Sequence, residues 1–255
     1  MDKPMSISQA YPNLPNAPIT EAIIDIGVNL PEGSTVERLR SMKADLQSDY
    51  PLFQNINVSQ HEFKFSNEGL VTQGEGHKLI GYKFQSMERN EVVQAKLNGF
   101  TFNKLKPYSS WDEIFPIAME LWAQYINCIS PESVTRVATR FINQFKIQRL
   151  PYNNLDEYLV SPPAIPESVP ENVIDYFSRV VSFDAESGAG VTVTQSIGKC
   201  DEPDFLSIIF DIDTYMNVGL HPNDEAIDAK LNTLHEVKNR IFFNNFTETT
   251  IRRFQ

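Results

Sequence analysis

The chain has 255 residues, is 41% hydrophobic and 11% aromatic, and carries a formal charge of −11. That is enough apolar chain for one large domain or two modest ones, and too much aromatic content for a disordered or collagen-like polymer. The two cysteines, Cys128 and Cys200, cannot by themselves build a disulfide scaffold or a zinc cluster, so they are expected as thiols in a reducing compartment.

The acidity is spread along the chain. Residues 1–130 carry 11 Lys and Arg against 15 Asp and Glu, and residues 131–255 carry 11 against 18. No basic half, tail or run is present to neutralise phosphates. A protein partner is therefore expected rather than a nucleic acid, a basic one being favoured by the field, although the same charge also aids solubility. The N-terminal stretch has no apolar core of a signal peptide, and no window approaches a membrane helix. The expected location is the cytoplasm.

Residues 1–20 hold four prolines and read as an extended arm. Ala22, Ile24, Ile26, Val28 and Leu30 alternate with a second set, which predicts a strand with one buried face. Pro31-Glu32-Gly33 ends it, and Val36, Leu39, Met42, Leu46 and Tyr50 at helical spacing predict one helix that closes at Pro51. Strands are expected over 53–66, 77–87, 93–97 and from Phe100, with a glycine-containing loop or weak hairpin over 67–76. Asn98-Gly99 between two alternating runs is a strong hairpin signal, because a type I′ turn needs positive φ at both central residues.

Ser110-Trp111-Asp112-Glu113 is a capping box for a helix reaching about Ile129, with Ile114, Ile117, Ala118, Leu121, Trp122, Tyr125 and Ile129 on its apolar face. Val134 to Gln148 predicts a long strand and Leu155 to Val160 a short helical turn. A proline-rich crossing follows, with Pro162, Pro163, Pro166 and Pro170. Strands are then expected over 173–185, 191–197 and 205–218, with Gly188-Ala189-Gly190 turning the first into the second. A last helix starts near Asn223, with Ile227, Leu231, Leu234, Val237 or Lys238, and Ile241 along its buried stripe and Asp224 and Glu225 suited to its N-terminal dipole.

Both stretches read strand, helix, three or more strands, helix. The fold class is α+β, with two pattern-related halves, each an antiparallel sheet crossed by a long amphipathic helix. The expected organisation is the arm at 1–20, a first half at 21–130 and a second at 131–255. The internal repeat is one of pattern, since the residues of the two halves barely match.

Five segments carry a resemblance. They are Asn16-Ala17-Pro18-Ile19-Thr20-Glu21-Ala22-Ile23, Leu105-Lys106-Pro107-Tyr108 followed by Trp111, Arg136-Val137-Ala138-Thr139-Arg140-Phe141-Ile142-Asn143, Asp211-Ile212-Asp213, and the stretch from Leu234-His235 to Phe242-Phe243. In this order and spacing the chain resembles a sporadically distributed, functionally uncharacterised family of prokaryotic proteins of about this length. The resemblance assigns no catalytic residue. A patchy distribution is that of mobile or defence-linked genes, so what it implies is a place in a mobile-element, toxin–antitoxin or defence module.

Arg136 and Arg140 fall on one face of their strand, roughly 13 Å apart, with Lys146 further along. With Asn143 they are the candidate ligand-binding residues, as two guanidiniums can clamp a phosphate or carboxylate. The competing arrangement is cross-strand ion pairing, with Asp211 and Asp213 as natural partners. Those two aspartates share a face at i, i+2 and would suit a hard cation, but no third carboxylate has ligand spacing, so no metal or other cofactor is expected. Glu21 and Asp25 share a face too; a paired-carboxylate acid/base site is conceivable, but nothing marks a partner nucleophile, and Glu21 is expected to bond backbone or arginine as a structural group.

His61, His77, His221 and His235 form no metal-binding spacing. No nucleophile elbow, dinucleotide fingerprint or P-loop occurs; Gly74-Glu75-Gly76 is too short to cradle phosphate. Phe242, Phe243 and Phe246 at the last helix are candidate partner-binding residues, with internal packing as the alternative. The functional expectation is a non-enzymatic interaction protein that binds a macromolecule. The first alternative is an anion-binding module at Arg136 and Arg140; the second is a metal-dependent enzyme using Asp211 and Asp213.

Overall fold

The computed structural model describes residues 11–66, 69–148, 155–164, 168 and 174–255, with backbone alone over 59–66 and 69–76. The first ten residues of the expected arm, Pro166 and Pro170 of the expected crossing, and the side chain of His61 lie outside that description.

The strands are β1 (Ile19–Asn29), β2 (Leu52–Ser66), β3 (Gly69–Gln85), β4 (Glu91–Lys96), β5 (Gly99–Leu105), β6 (Ser133–Gln148), β7 (Phe177–Asp184), β8 (Ala189–Gly198) and β9 (Phe205–Leu220). The helices are α1 (Val36–Leu39), α2 (Met42–Leu46), α3 (Trp111–Ile129), α4 (Ala226–Asn245) and α5 (Glu248–Arg252). The fold is α+β on a large antiparallel sheet, in the strand order β2-β3-β4-β5-β1-β6-β9-β8-β7. The expectation of a sheet for each half is thereby replaced by one nine-stranded order, in which β1 sits between β5 and β6.

Compact grouping divides the described residues into two units. One lies within Met1–Thr20, Phe141–Thr214 and Asn232–Gln255, the other within Glu21–Arg140 and Tyr215–Leu231. Residues 131–140 and 215–231 thus group with the earlier stretch, whereas the expected break fell after residue 130.

In the unit containing Glu21–Arg140, Ile24, Ile26, Phe84, Val93, Phe100 and Phe102 are buried from the strands and Ile114, Leu121, Trp122 and Tyr125 from α3. Phe100 lies 5.9 Å from the Trp122 ring and 6.0 Å from that of Tyr125. The Ser110 hydroxyl accepts the Glu113 N–H at 3.3 Å, so the predicted cap starts α3. The predicted single helix over 36–50 is two short ones, α1 and α2, broken at Arg40-Ser41. There the Ser41 hydroxyl turns back to the Arg38 carbonyl at 2.9 Å, the local competition that weakens serine inside helices.

The Asn98-Gly99 hairpin forms, but its loop is Leu97-Asn98, since Lys96 already pairs with Gly99. Gly99 serves the sheet rather than the turn: a Cβ on it would stand 2.6 Å from the Ile26 carbonyl oxygen of β1. β3 also runs through the glycines of the predicted loop at 69–76.

In the other unit the core is Leu14, Phe145, Ile147, Leu155, Leu159, Leu206, Ile208, Phe210, Ile212, Phe242, Phe246 and Phe254. The described part of the arm is ordered onto it. Asn16 N–H donates to the Phe254 carbonyl at 2.9 Å, and the Tyr11 ring stacks on Phe243 at 4.8 Å. The β7–β8 hairpin turns through residues 185–188, with Gly188 at φ 75°.

Candidate functional site: charged strand faces and an apolar edge

Arg136 has two partners within its own unit. Arg136 Nη1 donates to Asp25 Oδ1 at 2.9 Å, and its guanidinium lies 5.0 Å from the Tyr215 ring centroid. Thr101, which pairs with Asp25 across β1 and β5, donates its hydroxyl to Asp25 Oδ2 at 2.8 Å. Glu21 accepts the Asn103 amide at 2.6 Å, and Asn103 in turn accepts from Gln94 at 3.2 Å. Glu21 and Asp25 therefore share a face but serve different partners. The expected partners of Arg136 are Asp211 and Asp213; Asp25 is a partner that the sequence reading does not name. Neighbouring strands leave no local trace in sequence, so the candidate list could not rank Asp25 first.

Arg140, Asp211 and Asp213 each have an interaction partner as well. Asn143 does not join the arginines. It is 1% exposed on the opposite face of β6, and its amide donates to the Phe210 carbonyl at 2.9 Å. Lys146 pairs with Glu202 at 2.5 Å. Among the described residues no three His, Cys, Asp or Glu side chains converge to hold a metal, and no helix is long and apolar enough to cross a membrane.

Phe242 and Phe246 are core residues, 4.7 Å apart, with Phe145 and Phe254 against Phe246. Phe243 is half-buried under Tyr11. A shallow depression of about 330 Å³ remains beside Phe243, Ile251 and Gln255.

Two polar features stand apart from the predicted sites. A cleft of about 270 Å³ is walled by Asp45, Asp49, Glu91 and Glu120, with Tyr50 and Gln124. Tyr50 donates to Glu91 Oε2 at 2.9 Å and Lys104 to Glu91 Oε1 at 2.8 Å. Burial, and then the Glu91 carboxylate, push the Tyr50 hydroxyl far above the usual phenol range, so it stays a donor. The second is Lys238 on α4. Its ammonium lies 3.8 Å from the Phe141 ring centroid and donates to Asn239 Oδ1 at 2.7 Å. Burial lowers its pKa to about 7, and burial followed by the Lys238 charge lowers that of neighbouring His235 to about 2.

The apolar edge is β7, the terminal strand of the order. Phe177, Val180, Val181 and Phe183 are 71%, 57%, 56% and 69% exposed. The β7–β8 register explains this. Phe177, Arg179, Val181 and Phe183 stand opposite Ser196, Thr194, Thr192 and Gly190, which offer the rings no apolar cover. Val180 stands opposite Val193, which packs on the core.

The backbone has a direction too. Ile197 N–H donates to the Tyr176 carbonyl at 3.2 Å, one step before the Phe177↔Ser196 pair. Bonded and non-bonded pairs alternate along an antiparallel ladder. The even-numbered residues of β7 thus turn their N–H and C=O groups toward β8, and Phe177, Arg179, Val181 and Phe183 turn theirs away. Among the described residues these outward groups have no backbone partner, and an exposed, apolar strand of that kind is a template for another chain. The signal was present in the sequence as Phe177-Ser178-Arg179-Val180-Val181-Ser182-Phe183, but alternation alone does not say which face is covered.

No protein-family model matches this chain, and no curated protein matches it.

Proposed function

We propose that the chain is a non-enzymatic interaction protein whose protein partner adds a strand to the outer side of β7. The observation that carries this is the pairing of outward backbone groups with exposed Phe177, Val181 and Phe183 on one eight-residue strand. Main-chain hydrogen bonds would supply the affinity and the alternate side chains the selectivity. The acidic charge supports a protein partner over a nucleic acid. The sporadic distribution of the family that the chain resembles supports a mobile-element, toxin–antitoxin or defence setting. An anion clamp at Arg136 and Arg140 is the weaker reading, since Arg136 already holds Asp25 and Tyr215.

Val181→Pro tests it. Proline removes one outward N–H and is tolerated on an edge strand. The variant is expected to keep its circular dichroism and to lose either self-association, read by light scattering, or retention of the products of the flanking genes. A variant that matches the wild type in both contradicts the proposal.

A further inference from the structure

We infer that the occupant of the β7 edge is a second copy of this chain, paired antiparallel through β7 about a two-fold axis at Val180. This rests on the edge-binding reading above and names its partner.

The strand is self-complementary in one register. A two-fold axis normal to the sheet keeps the faces of both copies aligned, so each residue meets one of the same parity. The outward groups belong to residues 177, 179, 181 and 183, which are symmetric about 180. Centring there pairs Phe177 with Phe183 of the second copy and Arg179 with its Val181, and the reverse. All four outward N–H and all four outward C=O groups of each copy are then satisfied. A shift of the axis by one residue to 181 leaves Phe177 without a bonded counterpart.

The side chains follow the same symmetry. Phe177, Val181 and Phe183 of both copies come onto one face as an apolar cluster, with aromatic pairs at its two ends. Each Arg179 stands opposite a valine and diagonal to a phenylalanine ring that a guanidinium can pack on. Val180 meets itself on the other face.

The area sets the strength. Four side chains with the exposures given above contribute on the order of 400 Å² per copy. Twice that is below the ~1,200 Å² of a stable standard interface, so the dimer is a reversible one of micromolar affinity or weaker. Two chains of charge −11 repel, so the dimer strengthens as salt screens them. A complex with a basic partner would weaken instead.

The test uses the full chain with Cys128 and Cys200 replaced by Ser, carrying Val180→Cys or Ser182→Cys. At the self-paired, non-bonded position the two Cα atoms are about 4.5 Å apart, within reach of a disulfide. Residue 182 faces 178 of the other copy, which leaves the two introduced thiols about 14 Å apart. Mild oxidation is expected to convert most of the Val180→Cys protein to a covalent dimer and little of the Ser182→Cys protein. Wild-type light scattering is expected to rise from 29.1 kDa toward twice that mass with concentration, and further from ~50 to ~500 mM NaCl.

A mass fixed at the monomer value with no Val180→Cys cross-link overturns the second copy as occupant. If that monomer still retains a flanking-gene product, and Val181→Pro loses it, the edge-binding reading stands without the dimer. If Val181→Pro changes nothing, both fall. Cross-linking of Ser182→Cys in place of Val180→Cys overturns the register.

Discussion

β5 and β7 are both short hairpin strands with two phenylalanines, and they meet opposite fates. Phe100 and Phe102 of β5 are fully buried, while Phe177 and Phe183 of β7 are about seven-tenths exposed. β5 has a strand on each side, with β4 and β1 in register, and α3 lays Trp122 and Tyr125 against Phe100. β7 has one neighbouring strand in the order, and small polar residues stand opposite its aromatic face. The same residue types thus build a core in one place and an exposed edge in the other. What differs is what the chain brings against them.

The contrast can be broken by substitution. Phe100→Ala removes a fully buried ring and is expected to cost about 3–5 kcal/mol in denaturant unfolding. Phe183→Ser is expected to change stability by no more than ~0.5 kcal/mol while weakening association. A large loss for Phe183→Ser would show that the ring is covered, and would remove the distinction between the strands.

A second prediction concerns Lys238, a buried cation that sits among aromatic groups. Its folded pKa of about 7 lies below the ordinary 10.5. Near and above pH 10.5 the amine is neutral folded or unfolded and costs nothing. As pH falls below 10.5 the unfolded chain takes up the proton and the fold does not, and the cost is complete below about pH 7. Lys238→Met is therefore expected to stabilise the chain, by something on the order of 2 kcal/mol near pH 6, with the gain fading toward pH 10. A gain that ignores pH would show that packing, not charge, is at stake.

His235 follows the same sign. Its folded pKa is about 2 against 6.5, so it withdraws stability as pH drops below 6.5. His235→Phe is expected to flatten the acid limb of a stability–pH curve between pH 6.5 and 2. An unchanged limb would place the acid sensitivity elsewhere.

The smallest effect belongs to the answered charges. Arg136 and Asp25 are each about one-third exposed, so a double-mutant cycle between them is expected to give less than ~1 kcal/mol, falling with salt. A coupling well above that, insensitive to salt, would mean that the pair is sealed from solvent.

The elements legible in the sequence were those whose signals are local. The alternation from Ala22 to Val28 gave β1, the period through Phe141 and Phe145 gave β6, and the Ser110 cap gave the start of α3. Signals that depend on partners were read less well. Gly99 looked like a turn residue and is instead where β1 approaches β5. Nothing near Arg136 announces Asp25, which is 111 residues away. Asn143 was grouped with the arginines although alternation puts it on the other face, a reading the period of two could have corrected. α5 was missed, yet its cap was visible: the Thr247 hydroxyl accepts the Thr250 N–H at 3.3 Å. The edge status of β7 needs the whole strand order, which no stretch of eight residues contains.

Hydrogen exchange, read amide by amide at two protein concentrations, tests the association edge most directly. The amides of Phe177, Arg179, Val181 and Phe183 are predicted to exchange fast in dilute solution and slowly in concentrated solution, while those of β5 stay slow in both. Slow exchange at all four β7 amides, unchanged by dilution, would mean that the strand is already covered by its own chain and would contradict the docking role assigned to it.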